Sequence, residues 1–364
     1  MIVTSHVAGP HMRWTRADTV IVLVLVAAST LSWVPRMRGP IDFRWDAAVY
    51  YLLGTSIAGD LSYRLSSEPG EINTTTFPPL LPLLVAAHQW LLGTDDPVVV
   101  GGWLRATSWA LLTAYLITAF ILLRMRLPVG FGALGVLLIA LGWYPHWLSD
   151  RCYSDLPFAL LAAGYFVFSS PGGRHGRAAG ACAVLAYLLR SAGIAFLAAW
   201  VAERLLARRW RESLMRLLIA SIPVLAWQGY VFAVEHSDAY RRPAYPYQRA
   251  AYNIYNVSYP QLATWRDHRH PHLGQATRSE RVKRVFTNAA MLPIALGGTV
   301  SARRESWEAL MQRVKQNDRL RRVVPWAAIP AAMGTLGTLV LLGLRRRFHG
   351  AWPPPPQRCS SSLW

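Results

Sequence analysis

"TVIVLVLVAASTLSWV", residues 19–34, is an apolar run without a charged residue near the start of the chain. A helix rises 1.5 Å per residue, so a run of this length crosses most of the roughly 30 Å hydrocarbon core of a bilayer. Basic residues flank the run, and no small-residue cleavage site follows it. The run therefore predicts an uncleaved first transmembrane helix rather than a signal peptide.

Similar apolar runs recur along the 364-residue chain, at 99–123, 129–143, 156–168, 214–234 and 323–344. Hydrophobic residues make up 53% of the sequence and charged residues only 16%, whereas soluble proteins are about a quarter charged. The composition predicts an all-α fold in the class of polytopic membrane proteins.

Residues 178–205 are also apolar, but Arg190 interrupts them. Each half reaches only about 20 Å as a helix. The halves form either two tilted, protein-packed helices or a re-entrant hairpin, and in both cases the two ends return to the same side. With these halves included, we expect about 8 transmembrane helices. The shorter run at 80–93 follows two prolines, and we expect it to form an interfacial helix in the first outer loop.

The net charge of +19 comes almost entirely from arginine. The arginines cluster between apolar runs, which is typical of membrane topology rather than of nucleic-acid binding. With a cytoplasmic N-terminus, five clusters fall on the cytoplasmic side, and only Arg36 and Arg38 oppose this orientation. We therefore predict a multi-pass integral protein of the plasma (inner) membrane, with no nucleic-acid partner. The five clusters are Arg13 with Arg16, Arg124 with Arg126, Arg174 with Arg177, 208–211 and 345–347.

This topology divides the chain into four predicted parts. They are a transmembrane module over 1–234, an outer polar loop region over 235–322, a last transmembrane helix over 323–344 and a disordered cytoplasmic tail over 345–364. The polar segments 35–98, 144–155 and 235–322 would then face outward together, so we expect the activity on that side.

Two acidic residues stand at the outer ends of predicted helices. Asp46 opens "DAAVYYLLGTSIAG", where Tyr50 shares its helical face. Asp155 begins a span, with Pro157 just inside it. Either carboxylate could simply cap its helix, a contribution of about 1 kcal/mol. Two outward carboxylates could also act as a general base or hold a divalent cation, and the local pattern leaves these alternatives open.

Arginines are the matching positive groups. Arg190, between two half-helices, is costly unless it meets an anion, which is either a structural carboxylate or a lipid phosphate. Arg241 and Arg242 lie in an outward stretch rich in tyrosine. Such a stretch suits a sugar and a phosphate, but an interfacial aromatic belt has the same composition.

The order of four segments resembles a known family. The segments are "RWDAAVYYLLGTSIAGDLSY" (44–63), "TTTFPPLLPLLVAA" (74–87), "RCYSDLPFALLAAGYF" (151–166) and "LAYLLRSAGIAFLAAW" (185–200). Over roughly 15–235, the chain resembles GT-C-type membrane glycosyltransferases similar to protein mannosyltransferases and lipid A aminoarabinose transferases. The resemblance implies that Asp46 is the catalytic carboxylate of the first loop, that Asp155 is the acidic residue of the next outer loop, and that Arg190 lies near the carrier phosphate.

Such an enzyme would move a sugar from a polyprenyl-phosphate donor to a lipid, glycan or protein acceptor outside the cytoplasm. We expect an inverting transfer with Asp46 as general base, Asp155 orienting the acceptor or a cation, and Tyr50 contacting the substrate. Arg190, with Arg241 or Arg242, would stabilise the leaving phosphate. The resemblance implies no certain cofactor, and a divalent cation held by the two carboxylates stays open.

Two other functions compete with the transferase. The first is a transporter or flippase of a lipid-linked or anionic solute, with Arg190 at a broken helix as its binding site. The second is a non-enzymatic membrane scaffold, which predicts that neutral replacements of Asp46, Asp155 and Arg190 leave function intact. Formation of a covalent product separates the transferase from both.

Overall fold

The computed structural model describes residues 14–169, 176–245, 248, 263–267 and 273–301, with short pieces between 312 and 338. The chain forms two compact units, residues 1–273 and residues 274–364. The boundary that we predicted from hydropathy, at 234/235, is a boundary of membrane topology and stays a prediction.

The described residues form helices and two isolated β-bridges. The first unit contains α1 (Arg16–Trp33), α2 (Asp46–Asp60), α3 (Leu80–Leu92), α4 (Pro97–Arg124), α5 (Val129–Leu141), α6 (Trp143–Ser149), α7 (Asp155–Phe168), α8 (Gly176–Leu189), α9 (Ile194–Leu206), α10 (Trp210–His236) and α11 (Asp238–Arg241). The second unit contains α12 (Arg278–Ser301).

Three helical stretches are long and apolar enough to cross a membrane, namely Arg16–Arg36, Pro97–Arg124 and Trp210–His236. Shorter apolar helices accompany them: α3, α5, α7 and α8. The prediction of an all-helical, multi-pass membrane protein is confirmed. The total of eight spans stays a prediction, because the expected last span over 323–344 lies largely outside the described residues, and the tail over 345–364 lies entirely outside them.

The long helices present large apolar side chains on their outer surface. On α10, the side chains of Leu217, Ile222, Leu225 and Phe232 are half or more exposed. Soluble proteins rarely expose a contiguous apolar surface of this kind. Lipid is therefore the natural solvent for this face of the helix.

Ion pairs mark the two ends of the first unit. Asp18 in the first turn of α1 pairs with Arg124, the last residue of α4, across 2.7 Å. The two helices are therefore antiparallel, and the predicted basic clusters around Arg16 and Arg124 share one end. At the other end, Arg36 pairs with Asp150 across 3.1 Å. This arginine opposed the predicted orientation, and the structure gives it a carboxylate partner.

Arg190 breaks the apolar run between α8 and α9, as predicted. Its backbone is extended, with φ −149° and ψ 136°. A turn then ends at Gly193, where an added Cβ would lie 2.6 Å from the carbonyl oxygen of Ala186 and still closer to the amide of Tyr187. The Nε1 of Trp200 donates to the Gly176 carbonyl across 3.0 Å. The two helices thus form an antiparallel hairpin whose ends return to the same side.

The segment predicted as the first outer loop contains the helices α2 and α3, which pack together. Gly54 permits their close approach, since an added Cβ would lie 2.6 Å from the side chain of Val85. The alternative that Asp46 caps α2 is wrong. The helix begins at Asp46 itself, and Trp45 occupies the cap position without a side-chain capping bond. A capping residue must precede the first helical turn, and Asp46 already lies within it.

In the region that we predicted as an outer polar loop, residues 278–301 form the helix α12. Thr277 and Glu280 form a capping box at its start. The Thr277 amide donates to the Glu280 carboxylate across 2.8 Å, and the Glu280 amide donates to Thr277 Oγ1 across 3.3 Å. The sequence signature of this box, Thr-x-x-Glu, marks the start of a helix that hydropathy alone does not reveal.

Candidate active site

A short backbone bridge brings two distant segments together. The Asp42 amide donates to the Asp150 carbonyl across 2.9 Å, and the Cys152 amide donates to the Asp42 carbonyl across 3.4 Å. The bridge fixes the residues before α2 against the residues before α7. Asp46 and Asp155 are the first residues of these two helices, and they consequently line the same cavity.

A cavity of about 100 Å³ lies where α2, α7 and the α8–α9 break meet. Four predicted site residues line it: Asp46, Tyr50, Asp155 and Arg190. The other lining residues are Thr76, Phe77, Pro78, Tyr153, Ser154 and Leu189.

Arg241 and Arg242, also predicted to bind substrate, lie elsewhere. Their side chains are exposed at the end of α11, and neither lines this cavity. Their predicted contribution to phosphate binding stays a prediction.

Arg190 and Asp155 form an ion pair in the cavity wall. Arg190 Nη1 lies 2.6 Å from Asp155 Oδ1, and the two side chains are 39% and 36% exposed. Arg190 therefore does meet a carboxylate, one of the two alternatives that the sequence left open. Because both partners are more than a third exposed, a ligand in the cavity can still reach the charged groups.

Asp46 is the second carboxylate of the cavity, and it belongs to none of the ion pairs among the described residues. Desolvation by the cavity walls raises its pKa, the negative charge of Asp155 raises it further, and Arg190 opposes the rise. A carboxylate with a raised pKa is a stronger base than an ordinary aspartate. Asp46 is also accessible to solvent, as proton transfer from a ligand requires.

Ser154 joins the site, although the sequence pattern predicted no role for it. Its Oγ lies 2.9 Å from the hydroxyl of Tyr50 and accepts a hydrogen bond from Arg190 Nη1 across 3.4 Å. Both Ser154 and Tyr50 are buried. The only signal in the sequence is the position of Ser154 directly before Asp155 in the segment "RCYSDLPF".

Two tyrosines hold the segment 74–78, whose residues Thr76, Phe77 and Pro78 line the cavity. The Tyr63 hydroxyl donates to the Phe77 carbonyl across 2.9 Å. The Tyr230 hydroxyl, which projects from α10, donates to the Thr74 carbonyl across 3.1 Å. The long apolar helix α10 thereby holds a segment that we predicted as part of the first outer loop. The separation of 156 residues explains why periodicity could not predict this contact.

The acidic residues offer limited means to hold a metal ion. Among the residues that the structure describes, Asp46 and Asp155 are the carboxylates that line the cavity, and Arg190 already engages Asp155. Within the described residues, no group of three His, Cys, Asp or Glu side chains could hold a metal ion. Divalent cations in proteins usually take more oxygen ligands than two carboxylates supply. A divalent cation here would need further ligands from a substrate or from water, and the cation that the sequence left open stays a prediction.

Comparison with known proteins gives matches among solved structures. No protein family model matches the chain, and no curated protein matches it. The chain is similar to the crystal structure of ArnT from Cupriavidus metallidurans in the apo state, with a TM-score of 0.43 and 15% identity over 90% of this chain and 77% of ArnT. The chain is also similar to the crystal structure of the same ArnT bound to undecaprenyl phosphate. That match has a TM-score of 0.39 and 14% identity, and it covers 92% of this chain and 78% of ArnT. ArnT is an aminoarabinose transferase, one of the groups that the sequence motifs resemble.

Proposed function

We propose that the chain is a GT-C-type membrane glycosyltransferase that moves a sugar from a polyprenyl-phosphate donor to an acceptor hydroxyl. The observation that carries this proposal is that one cavity brings together the carboxylate of Asp46 and the guanidinium group of Arg190. The first group suits the removal of a proton, and the second suits a phosphate. The order of the four sequence motifs supports the same reaction.

In the proposed reaction, the acceptor oxygen attacks the anomeric carbon of the donor sugar. Asp46 accepts the proton of the acceptor hydroxyl as the new carbon–oxygen bond forms. The bond between the anomeric carbon and the phosphate oxygen breaks, and polyprenyl phosphate leaves with its electron pair. Direct displacement inverts the anomeric configuration. The raised pKa of Asp46 supports its role as base.

Arg190 would stabilise the negative charge that develops on the leaving phosphate. A guanidinium group binds phosphate oxygens with charge-assisted hydrogen bonds, and such bonds count most where they are already oriented. The ion pair with Asp155 holds the Arg190 side chain at the cavity wall. Asp155 would also lie close enough to the acceptor to orient its hydroxyl. No step of the proposed reaction passes through a metal ion.

The cavity would face the extracytoplasmic side of the plasma membrane, with the N-terminus in the cytoplasm. This orientation follows from the basic clusters at the Asp18–Arg124 end of the first unit. A donor whose prenyl chain remains in the bilayer could approach the cavity sideways. The acceptor would be a lipid, a glycan or a protein of the cell envelope.

Product analysis tests this proposal. The purified full-length chain in lipid nanodiscs is incubated with sugar-linked undecaprenyl phosphates and a lipid or glycan acceptor, with and without EDTA. We expect the acceptor to gain the mass of one sugar and undecaprenyl phosphate to be released, and the sample with EDTA tests whether a divalent cation takes part. An Asp46→Asn variant of equal yield should form the product about 10²–10⁴-fold more slowly.

A different result would favour the transporter. If proteoliposomes take up or flip the lipid-linked sugar while no covalent product forms with any donor, the proposed reaction is wrong. Inversion is checked separately, by the anomeric configuration of the product in an NMR spectrum.

A further inference from the structure

Three polar side chains from separate parts of the chain meet beside the cavity. Tyr50 belongs to α2, Ser154 precedes α7, and Arg190 lies at the α8–α9 break. Ser154 Oγ is 2.9 Å from the hydroxyl of Tyr50 and 3.4 Å from Arg190 Nη1. Tyr50 is 5% exposed and Ser154 is 1% exposed. The contacts thus connect a buried hydroxyl pair to a charged group that faces the cavity.

The chemistry of the three groups fixes the direction of one bond. A guanidinium group has only donors, so Ser154 Oγ must accept the hydrogen bond from Arg190. A serine hydroxyl has one donor and two acceptor positions, which leaves it able to bond to Tyr50 in either direction. The next residue, Asp155, forms an ion pair with the same Arg190 nitrogen, with its Oδ1 2.6 Å away. Two consecutive residues therefore hold one guanidinium nitrogen.

We propose that Ser154 is a positioning residue that, supported by Tyr50, fixes the guanidinium plane of Arg190 toward the donor phosphate. The inference rests on the proposed function, because it assigns Arg190 to the phosphate. An ion pair with Asp155 alone sets a distance but leaves the guanidinium group able to rotate about the contact. The second contact to Ser154 removes this freedom before the ligand arrives. Tyr50, which we predicted to bind substrate, then acts through Ser154.

The local structure distinguishes this role from helix capping. Ser154 occupies the cap position of α7, where serine commonly stabilises a helix. Its side chain nevertheless makes no capping hydrogen bond. The contacts of its hydroxyl with Tyr50 and Arg190 lead to the cavity instead. Removal of the hydroxyl should therefore affect ligand binding more than it affects the helix.

The test measures undecaprenyl phosphate binding and donor kinetics in the full-length protein in nanodiscs. A hydrogen bond to a charged group is worth about a factor of ten or more in a binding constant. Ser154→Ala should accordingly raise the Kd for undecaprenyl phosphate and the KM for the donor about tenfold. Ser154→Thr, which keeps the hydroxyl, should remain close to wild type. Tyr50→Phe should raise the Kd less than Ser154→Ala does, since Ser154 keeps its direct contact with Arg190.

The decisive comparison uses the Arg190→Gln background. If Ser154 acts through Arg190, adding Ser154→Ala to Arg190→Gln should change the Kd no further. Additive losses, or an unchanged Kd in Ser154→Ala, would overturn the proposal, as would a wild-type protein that does not bind undecaprenyl phosphate. Because the lipid binds without any sugar transfer, a tenfold change in Kd together with no covalent product would reject the reaction and retain the positioning role.

Discussion

Two aspartate–arginine pairs stand at opposite ends of the first unit, and they have different surroundings. Asp18 and Arg124 pair across 2.7 Å, and the Asp18 side chain is fully buried. The same carboxylate accepts from the amide and the hydroxyl of Thr15, across 2.8 Å and 2.7 Å. Its oxygens are thus occupied by a helix cap on one side and a guanidinium group on the other.

The Asp155–Arg190 pair is as short, at 2.6 Å, but both partners are partly exposed in a cavity. A second carboxylate, Asp46, lines the same cavity, and its pKa is raised. A short distance alone does not separate a structural pair from a functional one. The two pairs differ in how exposed their side chains are and in whether a second carboxylate, Asp46, lies beside them. Mutations at each end of the first unit test this difference.

The largest expected effect is the loss of transfer in Asp46→Asn. A general base contributes about 10²–10⁴-fold to a rate, so kcat should fall by roughly that factor while the fold persists. Because desolvation in the cavity raises the pKa of Asp46, its ionised form does not favour folding. The Asp46→Asn variant should therefore unfold at the wild-type temperature or slightly higher. Product formation and thermal unfolding are measured on the same preparation. A variant that transfers at the normal rate would remove Asp46 from the reaction.

At the other end, Arg124→Met should lower stability and leave the chemistry intact. Removing one partner of a buried pair costs about 3–5 kcal/mol, because the remaining charge is left unpaired. Unfolding by denaturant measures the loss, and activity per folded molecule should match wild type. Arg126→Met is the matched control, since Arg126 is an exposed neighbour. Equal losses in both variants would contradict the special role of the Asp18 pair.

Much of this comparison could be predicted from the sequence. Lipid requires long apolar helices, so hydropathy located α1, α4, α5, α7 and α10 to within a few residues. Sidedness and the motif resemblance also selected Asp46, Asp155 and Arg190, which the structure brings to one cavity.

The remaining features depend on contacts between distant segments or on backbone geometry. Ser154 meets Tyr50 across 104 residues of sequence, and nothing local specifies that contact. Asp46 is not the cap of α2, because the helix already begins at Asp46 and Trp45 occupies the cap position. Trp45 has a positive φ of 64°. An amino-acid pattern gives no reason to expect this conformation from tryptophan. Hydropathy also missed α12, whose first half is strongly polar.

The pH dependence of transfer should shift by a smaller amount than these losses, and in opposite directions in two variants. The deprotonated base is the active form, so transfer should fall about tenfold per pH unit below the raised pKa of Asp46. Asp155 raises this pKa and Arg190 lowers it. The acid limb of kcat/KM should therefore move to lower pH in Asp155→Asn and to higher pH in Arg190→Gln. Shifts in the same direction in both variants would show that another group controls the limb.

The smallest effect is expected from Arg36→Gln, at the same end as the cavity but outside it. Arg36 and Asp150 pair across 3.1 Å with 38% and 34% exposure, and pairs this exposed contribute only about 0.2–1 kcal/mol. The bridge between Asp42 and Asp150 uses backbone atoms and does not need this charge. Unfolding should therefore change within that range, and transfer should stay at the wild-type rate. A large loss of transfer would mean that ion pairs outside the cavity also set its geometry, in addition to accessibility.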